Sequence, residues 1–313
     1  GLASFYNEHS SEDDRAWRVE GRGRLDLTHR TNLEAYAFHD VSQDDPGSAS
    51  STATANGRPN ITVDEVGTSL NHRFNRLSLQ LRGSVADRTV GTLQGDPNIS
   101  ESDRDYSERK GAFRAQWEFK PEFSVFGEVG LEDRDYKRAS YTDGIRRNSS
   151  GERYRVGVAF GNSGQILRGE ASIGTGRQTF DDDRLPKLKG VIVDANLAWR
   201  VSGLTTVKFS ANTDFGDSTV AGSGGTVTNT AGVEVRHAFR RHLIGTAGIT
   251  YSHAKYDGVS LTEDTLTSTA QLEYYVNRDI TLFGRYAHID FNSSAIDSDY
   301  TADEMRIGMR IRR

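Results

Sequence analysis

Hydrophobic and polar residues alternate at every second position over long parts of this chain. Residues 15–30 read RAWRVEGRGRLDLTHR, in which Trp17 and Val19 belong to one set and Arg18 and Glu20 to the other. A period of two is typical of a β-strand whose faces meet different environments, whereas helical spacing would scatter both sets around every side. The stretch is therefore predicted to be a strand, and a long one.

The same alternation returns along the whole chain, and no helical segment interrupts it. The clearest further segments are 77–85, 111–119, 153–160, 167–173, 191–201, 207–212 and 304–312. The predicted strands have about 11–13 residues, whereas about 5–6 residues is usual in globular proteins. Such a length fits a tilted crossing of a lipid bilayer, which needs about 9–11 residues or more.

Short and long connections alternate strictly between these strands. The short ones lie near residues 29–32, 74–76, 120–122, 161–164, 201–203, 239–242 and 276–279. The long, polar ones cover residues 42–60, 88–105, 137–150, 181–187, 216–225, 257–263 and 292–300. With residues 1–9 counted as part of a first strand, we predict an all-β fold, a transmembrane antiparallel up-and-down β-barrel of about 16 strands, as a single outer-membrane domain over residues 1–313.

A soluble β-sandwich or propeller would also alternate apolar and polar residues, so this class is the alternative to the barrel. Strand length argues against it. So do aromatic residues at the ends of the apolar faces, such as Trp17, Trp117 and Trp199, where a bilayer interface places an aromatic girdle. The modest hydrophobic content of 35% is no objection, because only alternate residues of a barrel strand face lipid.

The rest of the composition excludes several kinds of site. No cysteine is present, so neither a disulfide nor a thiolate metal site can form. The net charge of −5 is spread over the chain and gives no basic stripe of the kind that binds nucleic acid. The sequence contains neither an HExxH metal motif nor a phosphate-binding P-loop. We therefore expect no metal, no cofactor and no nucleic-acid partner.

If the apolar set faces lipid, the charged set faces the lumen, because Arg or Lys at the bilayer midplane costs about 2–4 kcal/mol on the outer face. A barrel of about sixteen strands leaves an aqueous channel unless a segment plugs it. The predicted pore-lining residues are Arg18, Glu20, Arg22, Arg24, Arg82, Arg114, Glu118, Arg155, Arg168, Glu170, Arg200, Arg236 and Arg285. Two interpretations stay open. The excess of arginine could make the channel favour anions, or the arginines could form ion pairs with the interleaved carboxylates and have only a structural role in the barrel wall.

The closing part of the chain carries a series of motifs. Within residues 272–313 these are Val276-Asn277-Arg278, Leu282 to Tyr286, Ser293-Ser294 with Asp299-Tyr300, and Ile307-Gly308-Met309. In this order they resemble the putative beta-barrel porin-2 family of Gram-negative outer-membrane proteins. Members are often associated with exopolysaccharide production and export, so the resemblance implies an outer-membrane conduit or its partner. The chain ends Ile311-Arg312-Arg313, whereas outer-membrane barrels usually end in an aromatic residue.

The resemblance implies a polar channel for the passage or export of polar solutes or polysaccharide. Its expected surroundings are outer-membrane lipid and lipopolysaccharide, and a periplasmic polysaccharide-export protein is a candidate partner. The alternatives are a general small-solute porin with weak anion preference, a structural barrel, and an outer-membrane hydrolase with a site on the rim. For the hydrolase the best residues are His288 with Asp290, near His253, which could activate water. No GxSxG nucleophile motif accompanies them, so we expect no enzyme.

The tetrapeptide DRDY occurs at 103–106 and again at 133–136, almost symmetrically about the turn at 120–122. Antiparallel pairing then brings Tyr106 beside Tyr136 at the long-loop rim. We expect a solvated rim with cross-strand ion pairs there, with a calcium or lipopolysaccharide contact as the alternative.

The triplet Asp181-Asp182-Asp183 lacks the spaced ligands and the glycine of a defined calcium loop, so it is interpreted as a polar loop. Three aromatic residues, Phe126, Tyr275 and Phe283, alternate with the lipid-facing set and lie toward the short-turn ends of their strands. They could stack against sugar rings in the lumen, or they could pack against lumen side chains. Pairing across the turn at 276–279 sets Tyr275 diagonal to Phe283.

Overall fold

The computed structural model describes residues 2–4, 14–43, 59–91, 102–161, 165–296 and 298–311. The strands are β1 Leu2–Ser4, β2 Asp14–Thr28, β3 Thr31–Gln43, β4 Asn60–Phe74, β5 Leu77–Val90, β6 Tyr106–Lys120, β7 Phe123–Tyr136, β8 Ser149–Phe160, β9 Leu167–Phe180, β10 Leu188–Arg200, β11 Thr205–Gly216, β12 Gly225–Arg240, β13 Leu243–Asp257, β14 Leu261–Tyr275, β15 Ile280–Ser293 and β16 Tyr300–Ile311. One 3₁₀ turn, Ser102–Arg104, precedes β6. No helix in the described ranges is long and apolar enough to cross a membrane.

All sixteen strands belong to one antiparallel sheet, in which spatial order equals chain order. This is the up-and-down topology that the alternation of turns and loops predicts. The strands β2–β16 have 12 to 16 residues, somewhat more than the sequence pattern indicates. The short connections are tight: β4 and β5 are joined by Asn75 and Arg76 alone, and Asn75 takes a positive φ of 50° that such a turn requires.

The sheet curls around an interior that distant strands share. The Nη1 of Arg88 on β5 lies 2.7 Å from Oδ2 of Asp217, which follows β11. Six strand spacings would separate these residues by about 29 Å in a flat sheet. The contact therefore requires a curved sheet with a common inside, as in a barrel. Among the described residues, the hydrogen-bonded ladder runs from β1 to β16, and no pair joins β16 to β1 or β2.

The two faces of each strand meet different surroundings. On β7 the outward Val129 and Leu131 are exposed, whereas the inward Glu128 and Glu132 are buried, with only 6% and 8% of their surface exposed. An exposed apolar face combined with a charged inner face is the reverse of a soluble sandwich, whose interior is apolar. It is the arrangement of a transmembrane barrel, because lipid covers the outer side chains and water fills the inside.

Inward aromatic rings repeatedly cover glycines on the neighbouring strand. A Cβ added to Gly157 would lie 2.5 Å from the ring of Phe126, and one added to Gly308 would lie 2.5 Å from the ring of Phe283. Tyr36 covers Gly67 in the same way. Because glycine alone leaves room for a ring lying flat on the sheet, each pair replaces the missing side-chain contacts of the glycine and fixes the register of two strands.

Candidate functional site: the lumen of the barrel

The predicted pore-lining residues all lie at inward positions of their strands. On β9 and β10 the outward positions include the exposed Ile173 and Trp199, so the alternate residues Arg168, Glu170 and Arg200 point inside. The same argument holds for each strand that carries one of the predicted lining residues. What the sequence pattern cannot show is which of these charges meet.

The middle of the lumen is lined by a chain of ion pairs on β5 to β10. Glu128 on β7 contacts both Arg82, at 2.7 Å, and Arg155. The other amino group of Arg155 lies 2.6 Å from Asp194 on β10. Arg114 on β6 reaches past two strands to Glu170 at 2.8 Å. We call the inner face of β5–β9, with its paired side chains, the charged wall.

Other predicted lining residues are paired as well. Arg18 and Arg22 share Glu20, and Arg24 lies 2.9 Å from Asp26. Arg236 contacts Glu273 at 3.3 Å, and Glu118 contacts Arg73. These local pairs neutralise much of the positive charge that the sequence pattern assigns to the lumen.

Two lining arginines differ from the rest. Within the described part of the chain, neither Arg168 nor Arg285 has a carboxylate or any other hydrogen-bond partner. Arg285 is exposed to the lumen and stands directly opposite Arg306, whose own partner is Glu304 at 2.8 Å. Among the predicted lining residues that the structure describes, these two arginines carry positive charge with no partner at all.

The inner face of β12–β14 has a different chemistry. It is lined mainly by hydroxyl groups, and β13 has no charged residue at any inward position. We call this surface the hydroxyl wall; its members are Thr228, Thr230, Thr246, Thr250, Ser252, Thr265, Thr267 and Thr269. Thr230 and Ser252 bond each other at 3.1 Å across the ladder. Each hydroxyl can both donate and accept, which suits a neutral, hydrogen-bonding solute.

The tip of the β11–β12 hairpin folds into the lumen at the long-loop end. The β10–β11 ladder stops at the pair Asp194 and Asn212, short of the end of both strands. Beyond it, the backbone N–H of Val193 donates to the Thr213 hydroxyl at 3.2 Å in place of a ladder bond. We call residues 213–229 the cap hairpin.

The cap hairpin packs its own outer face against the inner face of β9 and β10. Phe215 is at an outward position of β11 and is 2% exposed, because it lies against Gly176 and Ile192 inside the barrel. With Leu188, Leu185, Phe180 and Ile145 it forms a small apolar core at the mouth. The alternating pattern does not predict this element, although three apolar residues in a row, 191–193, interrupt the alternation of β10 at that point.

Charged contacts hold the cap hairpin to the charged wall. Besides the ion pair with Asp217, the wall supplies Arg134, whose Nη2 donates to the carbonyl oxygen of Phe215 at 3.2 Å. Burial raises the pKa of Asp217, but Arg88, Arg104 and Arg134 outweigh burial and hold this pKa well below its usual range. Asp217 is therefore ionised at neutral pH and holds the cap hairpin to the charged wall; we call its ion pair with Arg88 the latch.

A second loop covers the cap hairpin from the side of β7 and β8. Arg147 donates to the carbonyl oxygens of Val220 and Ser223, both at 3.4 Å, and is itself held by Asp143 at 2.8 Å. The Thr142 hydroxyl donates to the Thr219 carbonyl at 3.3 Å. The long-loop mouth is thus partly filled by folded chain on the β5–β12 side.

The repeated DRDY motif lies beneath this cap. Tyr106 and Tyr136 are directly opposed in the ladder, with ring centroids 5.0 Å apart, which confirms the predicted pairing. The expectation of a solvated rim there is wrong: Arg104 and Arg134 are buried. The reason is the cap hairpin, which excludes water from a rim that would otherwise be open.

The three candidate sugar-stacking aromatics differ in accessibility. Phe126 lies between Gly157 and the guanidinium of Arg114, 3.6 Å from the ring centroid, so both of its faces are covered. A sugar reaches this ring only if Arg114 moves. Phe283 is covered on the side of Gly308, and the Tyr275 hydroxyl accepts from Arg236 at 3.4 Å.

The histidines considered for catalysis have other partners than the sequence indicates. His288 Nδ1 contacts Asp303 at 2.8 Å and not Asp290, and His253 Nδ1 contacts Asp264 at 2.8 Å. Both pairs lie on the outward face, since they alternate with inward residues of β13 and β15 such as Ala287, which is 4% exposed. Among the described residues, no group of three or more potential metal ligands occurs.

An up-and-down antiparallel sheet with an apolar outside, a polar inside and a folded segment at its mouth defines a transmembrane β-barrel with a channel-like interior. The family comparison agrees over the full length. Residues 1–313 match the family described as "Putative beta-barrel porin 2", and the chain belongs to this family. No match was found among the curated proteins.

Solved structures share the fold at very low sequence identity. "Copper transporter OprC" matches with a TM-score of 0.53 and 10% identity, over 95% of this chain and 56% of that one. The ferric citrate transporter FecA in its unliganded form matches with a TM-score of 0.52 and 9% identity, over 97% and 56%. The siderophore receptor PirA from Acinetobacter baumannii matches with a TM-score of 0.48 and 10% identity, over 97% of this chain and 55% of that one. The chain spans about half the length of these proteins.

Proposed function

We propose that this protein is a gated, polar conduit in the Gram-negative outer membrane, and that it passes carbohydrate or other polar solutes. The observation that carries the proposal is the combination of a polar, charged inner face with a cap hairpin held by an ion pair. A structural or anchoring barrel would instead keep its lumen plugged and show no conductance with any partner. By the usual orientation of such barrels, the short turns face the periplasm and the capped end faces outward.

Carbohydrate is favoured as the solute by the hydroxyl wall and by the balance of charge on the charged wall. Paired arginines and carboxylates offer donors and acceptors side by side without a strong net field. A neutral polyol can bond to both kinds of group, whereas a small ion gains little from a neutralised wall. The association of this family with exopolysaccharide production supports the same solute, and a periplasmic polysaccharide-export protein is the proposed partner on the short-turn side.

Planar-bilayer recording and liposome swelling test the proposal together. The wild-type protein is expected to conduct weakly, and a variant without residues 217–224 is expected to open a stable channel and to admit oligosaccharides into liposomes. Heat-dependent gel mobility verifies that the shortened protein is folded. A folded variant that neither conducts nor admits sugar would indicate a structural barrel instead.

A general small-solute porin with weak anion preference is the second candidate. The unpaired Arg168 and Arg285 favour it, since they supply positive charge at the short-turn half of the lumen. Reversal potentials in a salt gradient separate the two. A clear anion preference with no discrimination among sugars would favour the general porin.

We propose a transport role rather than catalysis. The histidines that could act as bases face outward and are held by Asp264 and Asp303. A rim hydrolase would require a nucleophile beside them. Incubation of the purified barrel with ester and glycoside substrates tests this directly, and turnover that disappears in the His288→Ala variant would overturn it.

A further inference from the structure

Four amide side chains lie together on the inner face of β3–β6, close to the short turns. We call them the amide cluster; its members are Asn32, Asn71, Gln80 and Gln116. Each alternates with outward residues of its strand, as Gln80 does with the exposed Leu81. All four side chains are half-buried. The amide cluster is therefore part of the lumen surface and open to a solute.

Hydrogen bonds join three of these amides in one direction. Nε2 of Gln80 donates to Oδ1 of Asn71 at 2.7 Å, and Nδ2 of Asn71 donates to Oδ1 of Asn32 at 2.9 Å. Each bond uses the donor of one amide and the acceptor of the next, so the orientation of every amide is fixed. Among the described residues, nothing bonds to Oε1 of Gln80 or to Nδ2 of Asn32. The series thus ends in a free acceptor on β5 and a free donor on β3.

The two free ends are two strands apart. Asn32 is directly opposed to Asn71 in the ladder, and Asn71 is directly opposed to Gln80. Neighbouring strands are about 4.7–4.9 Å apart, so the backbones of Asn32 and Gln80 are about 9–10 Å apart. A disaccharide has about this length and carries hydroxyl groups at both of its ends. Such a ligand can donate to one free end and accept from the other.

The amides line a hollow of about 350 Å³ in the barrel wall, within the range of about 300–1,000 Å³ that is usual for small-molecule sites. Ser78 also lines the hollow, and its hydroxyl has no hydrogen-bond partner within the described ranges. Gln116, which is opposed to Ser78, accepts from Arg114 at 3.2 Å and donates to Ser124 at 2.9 Å. The free groups therefore lie in a frame that is already oriented, which lowers the entropic cost of binding.

The hollow carries little unbalanced charge. Arg73 and Arg114 line it, but Glu118 and Glu170 neutralise them. Arg30, on the turn between β2 and β3, also lines the hollow and forms no ion pair in the part of the chain that the structure describes. Because Arg30 is exposed, water and salt screen its charge. The chemistry of the hollow thus favours a neutral ligand with many hydroxyl groups.

From these placements we infer that the amide cluster is a binding subsite for a neutral saccharide at the short-turn mouth of the barrel. One sugar hydroxyl donates to Oε1 of Gln80, and another accepts from Nδ2 of Asn32. The inference rests on the proposed passage of carbohydrate and adds the place where the sugar binds on the periplasmic side. The cap hairpin lies at the opposite ends of the strands, so the subsite is accessible while the cap is closed.

The test measures sugar binding to the full chain by saturation-transfer NMR titration, in a detergent without sugar headgroups. Cellotetraose and maltotetraose are the neutral probes, and tetragalacturonate is the acidic probe. Asn71→Leu/Gln80→Met replaces two amides of the cluster with apolar side chains of similar size, and Gln80→Met alone is the milder variant. Asn196→Leu/Gln271→Met makes the same exchanges at inward positions of β10 and β14 and is the control. Heat-dependent gel mobility verifies folding.

Asn71→Leu/Gln80→Met removes the free acceptor and the bond that orients Asn32, so binding of a neutral probe is expected to weaken by about tenfold. The control is expected to bind like the wild type. An equal loss in the control, unchanged binding in the folded cluster variants, or no binding of either neutral probe to the wild type would overturn the inference. Tighter binding of tetragalacturonate that disappears in Arg30→Gln would also overturn it, because the ligand would then be an acidic sugar.

Sugar flux separates this inference from the proposed function. If the variant without residues 217–224 admits oligosaccharides but the amide exchanges leave binding unchanged, the conduit is supported and the subsite is wrong. If the amide exchanges weaken binding as expected but that variant admits no sugar, the subsite is supported and the conduit is wrong.

Discussion

The charged wall on β5–β9 and the hydroxyl wall on β12–β14 solve the same problem in opposite ways. Both must present polar groups to water in a barrel whose outside is apolar. The charged wall does so with ion pairs that bind strands two or three places apart, such as Arg114 with Glu170. The hydroxyl wall does so with short side chains that reach only the next strand, such as Thr230 with Ser252.

The two walls differ in how far their side chains extend into the lumen and in which of them holds the cap hairpin. Long, paired side chains line the interior beside β5–β9, and Arg88 and Arg134 hold the cap hairpin against that same surface. The hydroxyl side chains of β12–β14 are shorter and extend less far into the lumen. Under the proposed function, a solute would therefore bond to the hydroxyl wall, and the charged wall would hold the cap hairpin.

Removing the latch is expected to have the largest effect on this contrast. Asp217→Ala leaves Arg88, Arg104 and Arg134 facing an apolar side chain, and breaking a buried ion pair costs about 3 kcal/mol or more. The equilibrium constant between the closed and the open position of the cap hairpin should shift about a hundredfold toward the open position. Single-channel open probability measures the change. Asp182→Ala, which breaks an exposed pair with Arg184 in the neighbouring loop, is the control and should leave it unaltered.

The pH dependence of the latch follows from the lowered pKa of Asp217. A carboxyl whose folded-state pKa lies below its ordinary value of about 3.9 stabilises the closed cap above that value and loses this contribution as pH falls through the folded-state pKa. Conductance should therefore stay low from pH 7 down to about pH 4. A rise in open probability between pH 6 and pH 5 would show that other groups hold the cap.

Glu128→Gln is expected to have the next largest effect, because this residue balances two arginines of the charged wall. Arg82 and Arg155 lose a shared carboxylate that is almost fully buried. We expect a lower temperature for the gel-mobility transition and a shift of the reversal potential toward anions. As the control, Thr267→Gln places the same glutamine side chain on the hydroxyl wall. It should change neither the transition temperature nor the reversal potential. An equal shift of the reversal potential in Thr267→Gln would mean that the two walls do not differ.

The ion selectivity of the channel tests whether the arginines without partners carry its excess positive charge. Arg168→Ser/Arg285→Ser removes unbalanced charge and should move the reversal potential in a salt gradient toward cations. Arg22→Ser/Arg24→Ser removes arginines that Glu20 and Asp26 already neutralise, so its shift should be smaller. If the second variant shifts more than the first, the pairs on β2 do not form in the open channel.

The smallest expected effect belongs to the hydroxyl wall itself. Thr250→Val/Thr267→Val keeps the shape of the wall and removes two hydroxyl groups from the lumen. A hydrogen bond contributes about 0.5–1.5 kcal/mol net, and a solute that bonds to one of these two hydroxyl groups at a time loses one such bond, so oligosaccharide flux into liposomes should fall by about two- to tenfold. Ion conductance should stay nearly constant. A parallel loss of both would indicate a change in pore shape and not in sugar contact.

Much of the fold was predictable because its signals are local. Alternation assigned the inward face of every predicted lining residue, and the lengths of the connections separated the two ends of the barrel. The DRDY repeat also predicted the pairing of Tyr106 with Tyr136. The two copies lie almost equally far in sequence from the turn at 120–122, and antiparallel strands pair residues that are equally far from their shared turn. The position of the cap hairpin was not predictable, because residues 216–225 have the composition of an ordinary polar loop.

The sequence by itself determined the strands, their faces and the order of turns and loops, because a period of two and a turn residue act over a few neighbours. Only the tertiary structure decided which charges meet. Arg88 and Asp217 lie 129 positions apart, and their contact exists because the sheet curls and β11 leaves β10 to turn inside. Curvature brings distant strands within reach of a single side chain, and no local pattern encodes that distance. The free arginines, the latch and the contrast between the two walls all follow from it.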